Sequence, residues 1–298
     1  MTYSIVARDA ESGEIGVAVQ TAYFAVGALV PWARAGVGAV ASQAIAEPAY
    51  GPRCLTAMRD GATAADALAA GRASDGGAAL RQVGVVDARG NAAAFTGELC
   101  IDAAGHHIGD GYTVQANMMA SADVWPAMAR AYADANGPLA ERLLASLQAA
   151  QRAGGDARGA MSAAILVVAG DAHDDSRLPL VDLRVDAHEA PLDELARLLS
   201  TERAYAHLGR GTDALFAGTP ELALAELDRG LALLPDDENM RFTRAGALLF
   251  SGDVDAARAA IRALIDRRPT WELIVRSFAA KGLLAVPDGL DVDSFLSE

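Results

Sequence analysis

Short apolar runs with two-residue alternation occupy both ends of the first 190 residues, with helix-length stretches between them, and this order constrains the fold more than any single motif. MTYSIVARD and IGVAVQT, joined by the turn residues DAESGE, read as an N-terminal β-hairpin, and GVGAVASQA (36–44) as a further strand. GPRCLTAMRDG reads as a short helix with Pro52 in its first turn, and TAADALAAG as a second, with a Thr63/Asp66 capping pair and Gly71 as its stop. RQVGVVDARGNAAAFTG is another hairpin, with GYTVQANMM a strand beyond it. Two helices follow: SADVWPAMARAYADA, capped by Ser121, and PLAERLLASLQAAQRAGG, opened by Pro138 and closed by Gly154 and Gly155. Strands resume with MSAAILVVAG and LVDLRVDA. Strands, then paired helices, then strands predict an α+β chain rather than a parallel βαβ sheet, and a two-sheet sandwich with helices on its outer faces buries every one of these segments.

From about Pro191 the pattern changes to uninterrupted helical periodicity, dividing the chain into a first domain over 1–190 and a second over 191–298. Residues 34 apart match in type: Phe216 with Phe250, Gly218 with Gly252, Ala223 with Ala257, Leu227 with Ile261, Pro235 with Pro269. That period, with small residues where helices cross and proline ending the second helix, resembles the tetratricopeptide repeat over about two repeats. The second copy departs from the pattern at Ala245, where the first has Gly211. So short an array leaves apolar faces to cover, which predicts a homo-oligomer or packing on the first domain, and it offers a surface to a protein partner.

A net charge of −14, spread along the chain, opposes phosphate backbones and anionic membrane surfaces, so neither nucleic acid nor membrane is an expected partner. No run of about 18 uncharged apolar residues occurs and the N-terminus carries no leader pattern, which predicts a cytoplasmic protein. Cys54 and Cys100 are too far apart in sequence for a zinc knuckle or redox pair. His106 and His107 have no further ligand at metal spacing, the glycines of 105–111 (GHHIGDG) read as turn chemistry rather than a phosphate cradle, and the phosphate-loop, zinc-protease and serine-elbow motifs are absent, so no metal and no cofactor are expected.

Chemistry then falls to the terminus. Thr2, Ser4, Val6 and Arg8 share one face of the first strand, and Tyr3, Ile5 and Ala7 the other. A threonine that becomes residue one is its own catalytic unit, because a free α-amine with a pKa of about 7.7 to 8.0 accepts the hydroxyl proton near neutral pH. This requires removal of Met1, which a small second residue permits. Threonine after the initiator methionine is also common without any catalytic role. Ser4 is an alternative hydroxyl, for attack or for binding substrate.

MTYSIVARDAESGEIGVAVQTAYFAVGALVPWARAGVGAVASQA, PAYGPRCL, RQVGVVDARGNAAAFTGELC, AGHHIGDGYTVQANMM and GGDARGAMSAAILVV, taken in order, resemble an uncharacterised bacterial and archaeal domain-of-unknown-function family grouped with the N-terminal-nucleophile (Ntn) hydrolases. The resemblance implies a four-layer αββα sandwich and hydrolysis of a C–N bond in a small amide, ureide or peptide substrate, with Thr2 as nucleophile. It departs from proteasome-like members in having no lysine before Lys281, leaving Arg8 or Arg34 to supply positive charge. For the oxyanion the candidate is Asn117, with Gln115 on the same strand face; the alternative is an amide satisfying a turn backbone. Asp156 and Arg158, in the loop GGDARG, either orient the α-amine and hold a substrate carboxylate or pair with each other. Ser42, Gln43 and His106 complete the candidate substrate contacts, with Arg34 available for an anion. The rival reading, from another class, is a non-catalytic ligand-binding or assembly module that keeps the sandwich.

Overall fold

The computed structural model describes residues 2–171, 179–284 and 292–297, the side chain of residue 297 excepted. Met1, on which the processing expectation turns, lies outside them. The described residues form a mixed α+β chain with two antiparallel sheets and ten α-helices, and none of the helices is long and apolar enough to cross a membrane. Two compact units divide at Leu199/Ser200.

In the first unit, β1 (Thr2–Arg8), β2 (Ile15–Thr21), β7 (Gly105–Gly109), β8 (Tyr112–Asn117), β9 (Ser162–Val168) and β10 (Val181–Val185) form a six-stranded sheet in the order β10-β9-β2-β1-β8-β7. The strand that starts the chain is therefore central. A four-stranded sheet runs β3-β4-β5-β6, made of β3 (Pro31–Arg34), β4 (Gly38–Ala44), β5 (Arg81–Asp87) and β6 (Ala92–Thr96). The two-residue period sorts β1 as its sequence predicts. Tyr3, Ile5 and Ala7 join Val114, Ile165 and the helix residues Met128, Leu143 and Leu147 in one core. Val6 instead meets Val17, Val19, Ala39, Ala41 and Val86, drawn from both sheets. A third core places Val40, Val83 and Val85 against Tyr50, Cys54 and Leu68. Each large aliphatic side chain so buried contributes about 1.5 to 3 kcal/mol.

The helices supplying those outer cores are α1 (Tyr50–Arg59), α2 (Ala64–Ala73), α3 (Val124–Asp134) and α4 (Leu139–Arg152). The Thr63 hydroxyl accepts the Asp66 backbone N–H at 3.2 Å, as the capping pair predicts. Three local expectations change. Gly71 lies within α2 rather than ending it, because its bare Cα admits the Tyr50 ring, 3.1 Å from where a Cβ would sit. Asp123, not Ser121, precedes α3, and the Ser121 hydroxyl accepts the Asp123 N–H instead. Within 105–111, where the glycines predict a turn, Gly105–Gly109 form the edge strand β7 and only residues 110–111 turn.

The remaining helices are α5 (Pro191–Phe216), inside which the unit boundary falls, α6 (Pro220–Leu233), α7 (Glu238–Phe250), α8 (Val254–Arg267), α9 (Trp271–Ala280) and α10 (Val292–Ser297). α6 and α8 begin 34 residues apart (254 − 220) and end 34 residues apart (267 − 233), as do the ends of α5 and α7 (250 − 216). In the second unit Glu226 accepts hydrogen bonds from Arg210 Nε (2.8 Å), His207 Nδ1 (2.8 Å) and Arg229. Those from Arg210 and His207 lower its pKa to about 2. A carboxylate depressed in the folded state contributes stability above its unfolded pKa of about 4.5 and loses it as pH falls toward 2. Replacing it by Glu226→Gln is expected to flatten unfolding free energy against pH between about 4.5 and 2, measured by urea denaturation at stepped pH.

Candidate active site

At the Thr2 end of the two sheets the apolar filling between them gives way to a polar cluster. β1 lies between β2 and β8 with Thr2 opposite Thr21 and Asn117, and Ser4 opposite Val19 and Gln115. The facing sheet contributes Gln43 of β4 and Gln82 of β5, themselves a directly opposed pair. All these polar residues are buried, so each donor and acceptor needs a partner.

The partners form a chain with one direction. Thr113 Oγ1 donates to Gln115 Oε1 (3.0 Å), Gln115 Nε2 to Ser4 Oγ (2.7 Å), and Ser4 Oγ to Gln43 Oε1 (2.6 Å). Gln43 Nε2 then donates to the Thr2 carbonyl (3.0 Å) and to Gln82 Oε1 (2.7 Å). Asn117 Nδ2 reaches the same two acceptors from the other side, at 3.3 and 2.8 Å. Gln82 Nε2 passes the chain on to Ala116 O (2.9 Å), Gly105 O (3.1 Å) and Thr96 Oγ1 (2.9 Å). Residue 2 is thus gripped by its carbonyl between two amides, one from each sheet, with Gln82 tying those amides together. Gly84 lets the sheets approach here, since a Cβ on it would stand 2.3 Å from Gln115 Oε1.

The Thr2 hydroxyl points away from that grip. Its Oγ1 donates to Thr21 Oγ1 at 3.2 Å, and Arg158 Nη2 lies 3.5 Å from the same Thr21 oxygen. Arg158 is held by Asp156 through Nη2 to Oδ2 (2.8 Å) and Nε to Oδ1 (3.2 Å), while Asp156 Oδ2 also accepts the Ala22 N–H (3.1 Å). Of the two sequence readings for Asp156 and Arg158, pairing with each other is the one observed. The pair sits beside the nucleophile candidate, and burial, with the Asp156 carboxylate adding to it, raises the Tyr3 phenol pKa.

Other candidates land elsewhere. Ser42 faces the helix side, paired with Val83, and its hydroxyl donates to the Glu47 carbonyl (2.9 Å). Arg34 is exposed opposite Gly38, five positions before Gln43 and so about 16 Å along the strand. Arg8 ends β1 at the same far end. The cation near Thr2 is therefore Arg158, not either of these. Asn117 does not suit an oxyanion, because both its amide hydrogens are engaged within the cluster. His106 lies on edge strand β7, joined to the chain through Thr96 Oγ1 at 2.8 Å, and partial desolvation, then His107, lowers its pKa. Thr21, Gln82, Thr96 and Thr113 belong to the site and were not singled out from sequence. Their signal is a polar residue on the inward phase of an otherwise apolar strand, as in Gln82 two positions before Gly84. Among the described residues no cluster of three or more His, Cys, Asp or Glu side chains converges as a metal site.

Backbone strain marks the same place. Three non-glycine residues among those described have positive φ: Ala25 (53°), Ala44 (71°) and Met118 (54°). Ala44 follows Gln43, Met118 follows Asn117, and Ala25 is four residues past Thr21. Such conformations cost on the order of 1 to 3 kcal/mol and concentrate at functional sites. Ala44→Gly is expected to raise unfolding stability by about 0.5 to 1 kcal/mol in urea denaturation, relief of the left-handed penalty outweighing the added chain entropy.

A family model, described as a family of unknown function (DUF1028), matches residues 2–195, which span the two sheets and this site. The chain belongs to the DUF1028 family. A crystal structure of the DUF1028 protein SPO2555 from Silicibacter pomeroyi is similar to this chain at 36% identity and a TM-score of 0.61, covering 66% of this chain and 87% of that one. No curated protein matches this DUF1028 chain.

Proposed function

We propose that this chain is an amidohydrolase of the N-terminal-nucleophile type that cleaves a C–N bond of a small substrate through Thr2. The observation that carries the reading is the Thr2 carbonyl clamped by Gln43 and Asn117, which fixes residue 2 while its hydroxyl faces Thr21, itself beside the Asp156–Arg158 pair. Helix, sheet, sheet and helix layers separated by three apolar cores support the sandwich class of that superfamily. Once Met1 is removed, the α-amine takes the proton of Thr2 Oγ1 as that oxygen attacks the substrate carbonyl carbon, then returns it to the departing nitrogen. Water hydrolyses the resulting acyl ester and restores the hydroxyl. Cys54 and Cys100 are both free, which supports a reducing, cytoplasmic setting.

The helix ends repeating at 34 residues support a tetratricopeptide-like second unit, and a cleft of about 710 Å³ beside Phe242, Trp271 and Phe278 offers a protein partner a surface there. A second reading, a binding module without catalysis, is favoured by one observation: the Asn117 amide has no hydrogen left for an oxyanion.

The test is intact mass before and after incubation with a β-lactone, an electrophile that acylates nucleophilic N-terminal threonines. Loss of Met1 and a single adduct mapped to Thr2 are expected. A chain that retains Met1 and takes no adduct overturns the catalytic reading in favour of the second.

A further inference from the structure

Nine large apolar side chains stand exposed among the described residues of the first unit, and six of them lie in segments anchored at the Thr2 end. Their anchors place them. Tyr23 and Phe24, 61% and 60% exposed, follow Thr21 directly along the chain. The Met161 N–H donates to the Thr21 carbonyl (2.9 Å). Ile101 accepts the Met118 N–H (2.9 Å) beside Asn117, Leu99 donates to Ala79 O (2.9 Å), and Ile45 donates to Leu80 O (3.3 Å), next to the strand carrying Gln82. These residues come from separate loops of both sheets, yet all are anchored at the strand ends that carry the buried polar cluster with Thr2. Exposed apolar groups concentrated around a polar floor mark a binding site rather than ordinary surface.

The charges here select against an anion. Arg158 has its charge met by Asp156, and the exposed acids Glu98 and Asp102 flank Leu99 and Ile101. A carboxylate brought to this rim meets like charge.

Resting on Thr2 as nucleophile, we propose that the substrate is a neutral amide whose acyl group is apolar, an aliphatic chain or an aromatic ring lying on Tyr23, Phe24, Leu99, Ile101 and Met161 while its carbonyl reaches Thr2 Oγ1. Attack by that oxygen releases the amine and leaves the apolar acyl group on Thr2, from which water removes it as the free acid.

The experiment compares acetyl, butyryl, hexanoyl and octanoyl amides of 7-amino-4-methylcoumarin. kcat/KM is expected to climb by up to about fourfold per methylene, and the double variant Tyr23→Ser, Phe24→Ser to flatten that climb. The same series is titrated against Thr2→Ala, where binding is read without cleavage. Graded binding with no cleavage by the parent supports the apolar subsite and removes only the nucleophile. Cleavage that ignores chain length, with ungraded binding, overturns this proposal and leaves the nucleophile standing. Ungraded binding together with a sedimentation shift from dimer to monomer in the double variant also overturns it, since the rim is then covered by a second copy of the chain.

Discussion

Thr2→Ala is expected to abolish the β-lactone adduct and to lower amide hydrolysis by at least about 10³-fold, since it deletes the attacking oxygen and leaves binding intact. Stability should hardly change. The substitution removes one side-chain hydrogen bond, Thr2 Oγ1 to Thr21 Oγ1, a loss of about 0.5 to 1.5 kcal/mol. Thr2→Ser keeps the hydroxyl and should keep the adduct. The parent rate should rise with pH through about 7.7 to 8.0 as the α-amine loses its proton and becomes the base. An unchanged rate in Thr2→Ala rules out this residue, and Ser4 is a poor replacement for it. Ser4 is fully buried, donates its hydroxyl proton to Gln43 and accepts from Gln115, so its proton has no path to a base.

Gln82→Leu is expected to give the largest loss of stability, about 4 kcal/mol or more, read from the urea midpoint at unchanged slope. Leucine approximates the volume of glutamine but carries no hydrogen-bonding atom. It would strand one amide hydrogen on Asn117, leave that of Gln43 only the longer contact to the Gln115 carbonyl (3.3 Å), and leave the Ala116 carbonyl without its amide donor. Each buried group left unsatisfied costs about 1 to 3 kcal/mol, against a total stability of about 5 to 15 kcal/mol for a typical domain. The Thr2 clamp would loosen with it, so labelling at residue 2 should fall too. A shift below about 1 kcal/mol would mean that water takes over the role of Gln82.

Alternation made β1 legible in advance, because a period of two assigns faces without any knowledge of neighbours. Thr2, Gln43, Gln115 and Asn117 were reachable by the same logic at strand ends. Ser42 was misplaced for a related reason: adjacent residues face opposite ways, and the pairing of Ser42 with Val83 and Gln43 with Gln82 decides which is inward. Arg34 is a sequence candidate by charge alone, and charge carries no position. Strand β3 was missed because PWAR is four residues long and opens on proline, and β7 because its glycines mimic turn chemistry. The Thr21 contact depends on strand register within one sheet, and the Gln82 and Thr96 contacts also reach across to the other sheet, pairings that no single segment encodes. The family match covers the residues that hold the site, whereas the chemistry proposed for that site rests on the hydroxyl at residue 2.

The central position of β1 has a consequence for the order of events during synthesis. The first strand cannot be completed until β8 emerges, with 115 residues separating Thr2 from Asn117, and contacts of such long range form late. Until then the segment at the head of the chain is open to enzymes acting on nascent polypeptide, and afterwards Thr2 is buried. On the proposed mechanism, trimming ahead of Thr2 belongs before that closure, as a co-translational step, and a chain that closes first locks its own terminus out of use.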